Sequence, residues 1–267
     1  MTLRTELLEA YDSQLRLEAE MANARSWHHH GPLVRGVFGD GGFVSYRDLG
    51  ALDSHELDAL IAETVAWFRD ETEVATFEWK TRGHDLPADL PDRLVAHGLQ
   101  PEERETVMIG RAELLDQQVE LPAGIVVRRA GVGRDLEDDV ARALQMQAEA
   151  FGRSAGPDAA ELAALLKVAP DLHGLWLAED ANGAVVCAGR MEVVPGTEFA
   201  GLWGGATLPA WRGRGIYRAL VAARARAALA TGSRYLHSDC TDMSRPILER
   251  SGLVAVTTTT PFIWSRG

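Results

Sequence analysis

Apolar residues recur along the start of the chain at the three- and four-residue spacing of an amphipathic helix. This stripe predicts one helix over residues 3–24, and the polar segment "SWHHHGP" that follows predicts a loop. Residues 32–50 then read as two strands around a glycine turn. A second amphipathic stretch predicts a helix over residues 53–71, because Asp53 or Ser54 is suited to cap its first turn.

The next segments alternate between strand and helix patterns until the periodicity stops. "EVATFEWKTRG" predicts a strand, "LPADLPDRLVAHG" a short helix and "ETVMIGRAEL" another strand. The pattern pauses at "DQQVELPAG", residues 116–124, and this pause is the candidate boundary between two domains. The sequence therefore predicts domains at 1–120 and 121–267.

The second domain begins with a strand pattern, "IVVRRA", which two amphipathic helix patterns follow. Two strands then meet at Asn182-Gly183, a dipeptide typical of tight hairpins. A further strand leads into "PAWRGRGIYRALV", residues 209–221, and into a helix over residues 215–230. A strand, a short helix and a closing strand or hairpin complete the order. The N-terminal domain echoes this end, since "RLVAHGLQPEERETVMI" and "ILERSGLVAVTTTTPFI" share a helix end, a glycine, a leucine and an apolar strand.

The turn in "PAWRGRGIYRALV" has the chemistry of an anion-binding site. The first N–H groups of a helix lack partners inside the helix, and the helix dipole adds positive charge there. Glycines allow the backbone to approach a ligand closely, and Arg212 and Arg214 add full charges. The GxxxxGK[ST] phosphate loop does not occur in the sequence, and "GRGIYR" lacks the last glycine of the dinucleotide fingerprint.

The order of elements around this turn resembles the GNAT superfamily of acyl-CoA-dependent N-acetyltransferases. Their [QR]xxGx[GA] motif is similar to Arg212-Gly213-Arg214-Gly215-Ile216-Tyr217, and the resemblance covers roughly residues 124 to 265. It implies an α/β (α+β) fold, with a mixed, mostly antiparallel central sheet flanked by helices. The N-terminal domain has acids where the second has arginines, so we expect a degenerate, partial GNAT-like module without a CoA site.

The same resemblance implies acetyl-CoA as the acyl donor and assigns residues to it. Backbone groups on the strand before the turn would pair with the pantetheine arm, and the N–H groups of residues 213–218 would hold the pyrophosphate. The residues assigned to the cofactor are Gly205, Ala206, Thr207, Arg212, Gly213, Arg214, Gly215, Ile216, Tyr217 and Arg218.

The sequence departs from the family pattern where relatives carry proton-transferring side chains. The usual general acid would stand at Leu248, and the usual base at Gly201. Glu198 and Asp239 are the predicted catalytic substitutes, and Glu192 is a further candidate for the base. The last motif position holds a tyrosine, whose ring we expect to point away from the phosphates.

The charge and residue composition of the chain limit the binding partners that we expect. Acidic residues exceed basic ones by 39 to 27, and the net charge of −12 disfavours nucleic acids and anionic membranes while modestly favouring a cationic acceptor. Three consecutive histidines, 28–30, point in different directions and predict no metal site. The two cysteines, Cys187 and Cys240, predict reduced thiols, and the N-terminus lacks a signal-peptide pattern. We therefore expect a cytoplasmic protein. We expect it to be a monomer or a homodimer.

Two functions of different classes follow from these observations. The first is an acetyl-CoA-dependent N-acetyltransferase that transfers acetyl directly to a small-molecule primary amine. The second is an acyl-CoA-binding sensor with weak or no turnover, which the missing acid and base would favour. Transfer to oxygen, or of longer acyl chains, is a third hypothesis on the same fold.

Overall fold

The computed structural model of the protein describes residues 2–152 and 158–267. Helices and strands alternate along it much as the hydrophobic pattern predicts. The helices are α1 (Leu3–Gln14), α2 (Ser54–Asp70), α3 (Leu90–Ala96), α4 (Ala112–Leu115), α5 (Leu136–Phe151), α6 (Ala159–Val168), α7 (Ile216–Ala230) and α8 (Arg245–Ser251). The strands are β1 (Ser26–His30), β2 (Leu33–Phe38), β3 (Gly41–Tyr46), β4 (Thr76–Arg82), β5 (Gln100–Pro101), β6 (Glu105–Arg111), β7 (Val126–Arg129), β8 (His173–Glu179), β9 (Val185–Val193), β10 (Phe199–Thr207), β11 (Tyr235–Cys240) and β12 (Val254–Ser265).

The chain forms two compact units that do not follow the sequence continuously. The first unit contains Met1–Met108, Asp239–Pro246 and Ala255–Gly267, and the second contains Ile109–Ser238 and Ile247–Val254. The chain thus passes between the units several times. The division into modules 1–120 and 121–267 remains a prediction, since a compact unit and a GNAT-like module need not share their boundaries.

The first unit is built on a mixed sheet. Strands β1, β2 and β3 are antiparallel neighbours, β3 and β4 are parallel, and β12 is antiparallel to both β4 and β5. Helix α2 makes the crossover between β3 and β4, as parallel neighbours require. Its buried side chains, Leu57, Leu60, Ile61, Thr64 and Phe68, recur at three- and four-residue spacings. The four apolar ones pack in a core that also includes Tyr46, Phe77 and Trp79.

The second unit has an antiparallel series, β7, β8, β9 and β10, followed by a parallel neighbour, β11. Helices α5 and α6 supply its core with residues such as Val140, Ala143 and Leu162, which meet Leu175 and Leu177 of β8. The predicted Asn182-Gly183 hairpin joins β8 to β9, with Gly183 at φ +80°. The predicted mixed, mostly antiparallel sheet flanked by helices is confirmed.

Two predictions for the N-terminal region are wrong in detail. The first helix ends at Gln14 instead of continuing to residue 24, because Leu17 adopts a left-handed φ of +64° and residues 17–21 form a 3-10 turn. Residues 28–30, predicted as a loop, belong to strand β1, which pairs antiparallel with β2. Strand pairing with a neighbour outweighs the low strand propensity of this polar stretch. The closing segment is a single strand, β12, and not a hairpin.

The three histidines of β1 contact different partners, as predicted from their consecutive positions. His28 accepts a hydrogen bond from Arg35, with 2.9 Å between Nε2 and Nη2. The rings of His29 and His30 pair with Glu18 and Glu63 respectively, at 3.0 Å each. Burial and then the charge of Arg35 lower the pKa of His28, which suits its role as a neutral acceptor. Within the described ranges, no group of three or more His, Cys, Asp or Glu residues is arranged to hold a metal ion.

Candidate functional site

The predicted pantetheine-binding residues Gly205, Ala206 and Thr207 lie at the end of β10, where that strand diverges from β11. The parallel register of β10 and β11 consists of three pairs, of which the last joins Gly201 to His237. Both strands continue beyond this pair, to Thr207 and Cys240 respectively. Two neighbouring strands that stop pairing while both continue leave a wedge between them. Backbone N–H and C=O groups on its edges are suited to pair with an extended ligand, as another strand would.

The pairing of β10 with β9 is also irregular at this level. The register shifts between Trp203 and Ala206, which indicates a bulge on β10. The amide nitrogen of Gln147, on α5, donates to the carbonyl oxygen of Gly204 inside this bulge. A helix side chain therefore holds the irregular backbone just before the last residues of β10.

The turn from β10 into α7 has the backbone conformation that the glycine-rich sequence predicts. A 3-10 turn, Pro209–Trp211, is followed by Gly213 and Gly215 in the left-handed region, at φ +75° and +81°. A Cβ at Gly215 would meet its nearest described neighbour, Val119 Cγ1, at an ordinary 3.5 Å. Backbone conformation, and not crowding, is therefore the reason why glycine occupies this position. Gly215 is the N-cap residue of α7.

The N-terminus of α7 differs from that of α2, which follows β3 in the first unit. At α2, the Asp53 carboxylate accepts from the N–H groups of His55 and Glu56, at 2.8 and 2.9 Å, and Glu56 completes a capping box. At α7, the N-cap is a glycine, which has no side chain to accept from these N–H groups, and the described first turn contains no acidic residue. Helix α2 satisfies N-terminal donors with its own cap residue, whereas the N-cap of α7 makes no side-chain hydrogen bond to its first turn.

The arginines of the turn contact its backbone and one of its aromatic rings. Arg212 donates through Nε to the carbonyl oxygen of Thr207 at 3.0 Å, which ties the turn to the end of β10. The Arg214 guanidinium lies over the ring of Trp211, 5.0 Å from its centroid. Both side chains are exposed, as is that of Arg218 in the first turn of α7. Their positive charge adds to that of the helix N-terminus.

Tyr217, in the last position of the motif, directs its ring toward the sheet. A Cβ at Gly205 would lie 2.6 Å from the Tyr217 hydroxyl oxygen, so the phenol occupies the space in front of this glycine. The guanidinium carbon of Arg224, a buried residue of the same helix, is 5.8 Å from the centroid of the Tyr217 ring. The half-buried ring therefore points toward the predicted pantetheine strand and leaves the helix N-terminus accessible.

Packing explains the residues found at Gly201 and Leu248, the two positions where the resemblance would place a base and an acid. Gly201 faces the indole of Trp203, because a Cβ at 201 would lie 2.5 Å from Trp203 Nε1. Residues two apart on a strand share a face, so the tryptophan excludes any side chain at position 201. Leu248 is buried on α8, with 2% of its surface exposed. Neither position offers a group that can exchange a proton.

The predicted catalytic carboxylates, Glu198 and Asp239, are both engaged in ion pairs. Glu198 precedes β10 in the second unit, and its Oε1 is 2.8 Å from Arg234 Nη1. Asp239 lies on β11 in the first unit, and its Oδ2 is 2.6 Å from Lys80 Nζ. Glu192, the further candidate, lies 3.5 Å from Arg190 on the same strand, β9.

Two glutamates that interact electrostatically with Lys80, the partner of Asp239, were missed by sequence reasoning. Burial raises the pKa of Glu105, and the charge of Asp239 raises it further while Lys80 opposes the shift. Burial likewise raises the pKa of Glu78, which Lys80 lowers in part. A carboxyl group with a perturbed pKa is a candidate for a functional site. Only the tertiary fold brings the charged residues of β4, β6 and β11 close enough to interact. No local sequence pattern could therefore have indicated this cluster of charges.

His237 is a third residue that the sequence did not single out. It pairs with Gly201 at the point where β10 and β11 diverge. Its ring packs edge-on against Trp203 and Phe199, with centroids 5.5 and 5.9 Å apart. The register of the two strands, which a single sequence does not reveal, is what places an imidazole at the wedge.

The cysteines have no part in this site as nucleophiles. Cys187 and Cys240 are buried and free. Burial raises the pKa of each thiol to about 11, so both are protonated at neutral pH. None of the helices within residues 2–152 and 158–267 combines the length and the apolar character needed to cross a bilayer.

Comparison with known proteins identifies the fold but not the sequence family. No protein-family model matches the sequence, and a search of curated proteins gives no match. Among solved structures, a GCN5-related N-acetyltransferase from Kribbella flavida is similar over 100% of this chain and 97% of its own, with a TM-score of 0.68 and 18% identity. A GCN5-related N-acetyltransferase from Sphaerobacter thermophilus has a TM-score of 0.63 and 20% identity, over 88% of this chain and 76% of its own.

A third similar structure has two GNAT modules. It is a tandem GNAT protein from the clavulanic acid biosynthesis pathway, in a structure without AcCoA. The likeness covers 98% of this chain and 96% of that chain, with a TM-score of 0.62 and 14% identity. The protein therefore has the GNAT fold, as the resemblance of its second half implied, and the tandem neighbour is consistent with a fold of two modules.

Proposed function

We propose that the protein is an acetyl-CoA-dependent N-acetyltransferase that acts on a small-molecule primary amine. The observation that carries the proposal is the uncapped start of α7, which follows directly on the wedge between β10 and β11. The GNAT-fold neighbours support an acetyltransferase in general, and the site supports the choice of cofactor.

The pyrophosphate of CoA would bind at the turn. Residues 213–218 lie at the start of α7, where free N–H groups and the helix dipole stabilise negative charge. Arg212, Arg214 and Arg218 supply further positive charge around the turn. The left-handed glycines expose the backbone between these arginines. The first unit is a poorer candidate, because the carboxylate of Asp53 already occupies the N-terminus of α2.

The pantetheine arm would extend along β10 beyond Gly201. Gly205, Ala206 and Thr207 would pair with its amide groups through their backbone, and the ring of Tyr217 would form one wall at Gly205. The thioester would then lie in the wedge. There the amine nitrogen attacks the carbonyl carbon, the C–N bond forms, the C–S bond breaks and CoA leaves as a thiolate.

The amine must lose a proton during this transfer, and Glu198 and Asp239 are the proposed acceptors. Asp239 lies two residues beyond His237 on β11, which is about 7 Å along an extended strand. Glu198 lies three residues before Gly201, which is about 10 Å along β10. Asp239 is the closer of the two to the end of the paired region, and Lys80 holds its carboxylate. The net charge of −12 favours a cationic amine as the acceptor.

Steady-state release of CoA thiol from acetyl-CoA, measured across a panel of small amines, tests the proposal. Loss of a general base lowers kcat by about 100- to 10,000-fold, so we expect this effect from Asp239→Asn or Glu198→Gln. Lys80→Met and Arg234→Gln are the matched controls, since each removes the ion pair but keeps the carboxylate. If a control lowers kcat as much as its partner variant does, the carboxylate is structural. If no amine in the panel releases CoA, the proposed activity is wrong.

A second candidate function is an acyl-CoA-binding sensor without turnover. It is favoured by the indole that fills the space at Gly201 and by the buried Leu248, since neither usual position carries a proton-transferring group. This alternative predicts saturable binding of acetyl-CoA and no thiol release with any amine. The same assay, combined with a binding measurement, therefore separates the two functions.

A further inference from the structure

The first unit contains a cavity that is unrelated to the predicted CoA turn. Its volume is about 410 Å³, which lies within the range of small-molecule pockets. The polar residues that line it are Arg4, His84, Thr106, Arg245, Thr257 and Thr258. Among the described lining residues, none is acidic. Two arginines, a histidine and three hydroxyl groups thus surround one space in a protein with a net charge of −12.

His84 is held in a fixed orientation at the wall of this cavity. Its Nε2 is 2.9 Å from Asp12 Oδ2, and its Nδ1 is 2.7 Å from Thr257 Oγ1. Burial raises the pKa of Asp12, but the hydrogen bond and charge of His84, together with Arg16, outweigh burial and lower it. Asp12 is therefore ionised and only accepts, so Nε2 carries a proton.

Strand β12 holds two further parts of the lining, Arg4 and Thr258. Arg4 Nη2 donates to the carbonyl oxygen of Val256 at 2.9 Å, which holds the guanidinium at the strand. A guanidinium has five N–H donors, so this bond does not exhaust Arg4. The N–H group of Gly83 donates to the carbonyl oxygen of Thr258 at 2.9 Å, which fixes the threonine beside the loop that carries His84. Arg4 and Thr258 are thus held by backbone contacts, and His84 by its two side-chain hydrogen bonds.

We infer that this cavity binds a small organic anion through a carboxylate or phosphate group. Planar guanidinium groups match the paired oxygens of both anions, and threonine hydroxyls donate to the same oxygens. The overall negative field of the protein opposes anion binding, so the local arginines must supply the attraction. The inference does not depend on the proposed acetyl transfer, because none of the lining residues belongs to the predicted cofactor set.

Isothermal titration of the full chain with inorganic phosphate and with citrate, at constant ionic strength, tests this inference. We expect saturable 1:1 binding of at least one anion, and the arm that binds distinguishes a phosphate site from a carboxylate site. Arg245→Gln and Arg4→Gln should each weaken binding at least tenfold, which corresponds to about 1.4 kcal/mol. Thr258→Val, which keeps the side-chain shape and removes the hydroxyl, should weaken it in the same direction.

The matched control is Arg104→Gln, which removes an exposed arginine of the same unit that does not line the cavity. This variant should bind the anion as the wild type does, and thermal melting should show that all variants are folded. If neither anion binds at about 10 mM, a concentration that reveals even a millimolar Kd, the inference is wrong. It is equally wrong if Arg104→Gln weakens binding as much as the lining variants do.

Discussion

Gly201 and Trp203 form a pair on one face of β10 that explains why a family position for a base is empty. A Cβ at 201 would lie within 3.0 Å of three atoms of the indole, which is too close for the ring to remain in place. A carboxylate side chain at this position would require Trp203 to move. The absence of a base there therefore follows from packing on this strand.

We expect Gly201→Ala to destabilise the protein by about 1–3 kcal/mol, the cost of overpacking a site that has no room. In a Trp203→Ala background, the same substitution should cost less than about 0.5 kcal/mol, because the obstructing ring is gone. Urea denaturation of the four proteins in this double-mutant cycle measures the coupling. Equal costs in both backgrounds would show that the indole does not exclude the side chain.

At the scale of elements, one arginine joins two strands and a helix of the second unit. Arg128 on β7 contacts Asp139 on α5 and Glu179 on β8, each at 2.6 Å, and the Asp139 side chain is fully buried. Burial raises the pKa of Asp139, but hydrogen bonds from Arg128 and the Gly131 N–H outweigh it and lower the pKa. The hydrogen bond of Arg128 is also the main cause that lowers the pKa of Glu179.

These lowered pKa values predict an acid-sensitive contact. A carboxyl group whose pKa is lower in the folded state stabilises the fold above its unfolded pKa of about 4, and this contribution is lost as pH falls. Asp139→Asn removes one titrating group, so its free energy of unfolding should fall less than that of the wild type between about pH 6 and pH 3. Urea denaturation across this pH range is the measurement. Parallel pH profiles for the two proteins would contradict the assignment.

The echo between the two halves of the sequence has a counterpart in local structure. Helices α3 and α8 each have seven residues. Each ends with the same hydrogen bond, from Leu99 N to Leu94 O at 3.0 Å and from Leu253 N to Leu248 O at 3.1 Å. This is the pattern of a helix terminated by a left-handed glycine. The shared helix end is what the two sequence segments encode.

At the scale of the whole molecule, the sequence predicts those structural features that depend on local periodicity and turn chemistry. The hairpin at Asn182-Gly183, the cap at Asp53 and the glycine turn before α7 are all recognisable without a structure, because each depends on a few adjacent residues. The GNAT fold was predicted from the order of these elements around that turn.

Contacts between distant segments could not be predicted in this way. Lys80 and Asp239 are 159 residues apart, and only the tertiary fold pairs them. The polar strand β1 forms because β2 supplies its hydrogen-bonding partner, and its composition alone resembles a loop. The return of residues 255–267 to the first unit likewise has no local signal. The surroundings of Asp239, a proposed proton acceptor, depend on contacts of this long-range kind.

The most direct test of the account is titration calorimetry of acetyl-CoA with wild type, Gly215→Val and Gly196→Val. Both glycines belong to the second unit and have a positive φ, +81° and +76°, so the two substitutions impose similar backbone strain. We predict saturable 1:1 binding to wild type and to Gly196→Val, and at least tenfold weaker binding to Gly215→Val. No binding to wild type at millimolar acetyl-CoA, or equal losses in both variants, would contradict the claim that the start of α7 holds the cofactor.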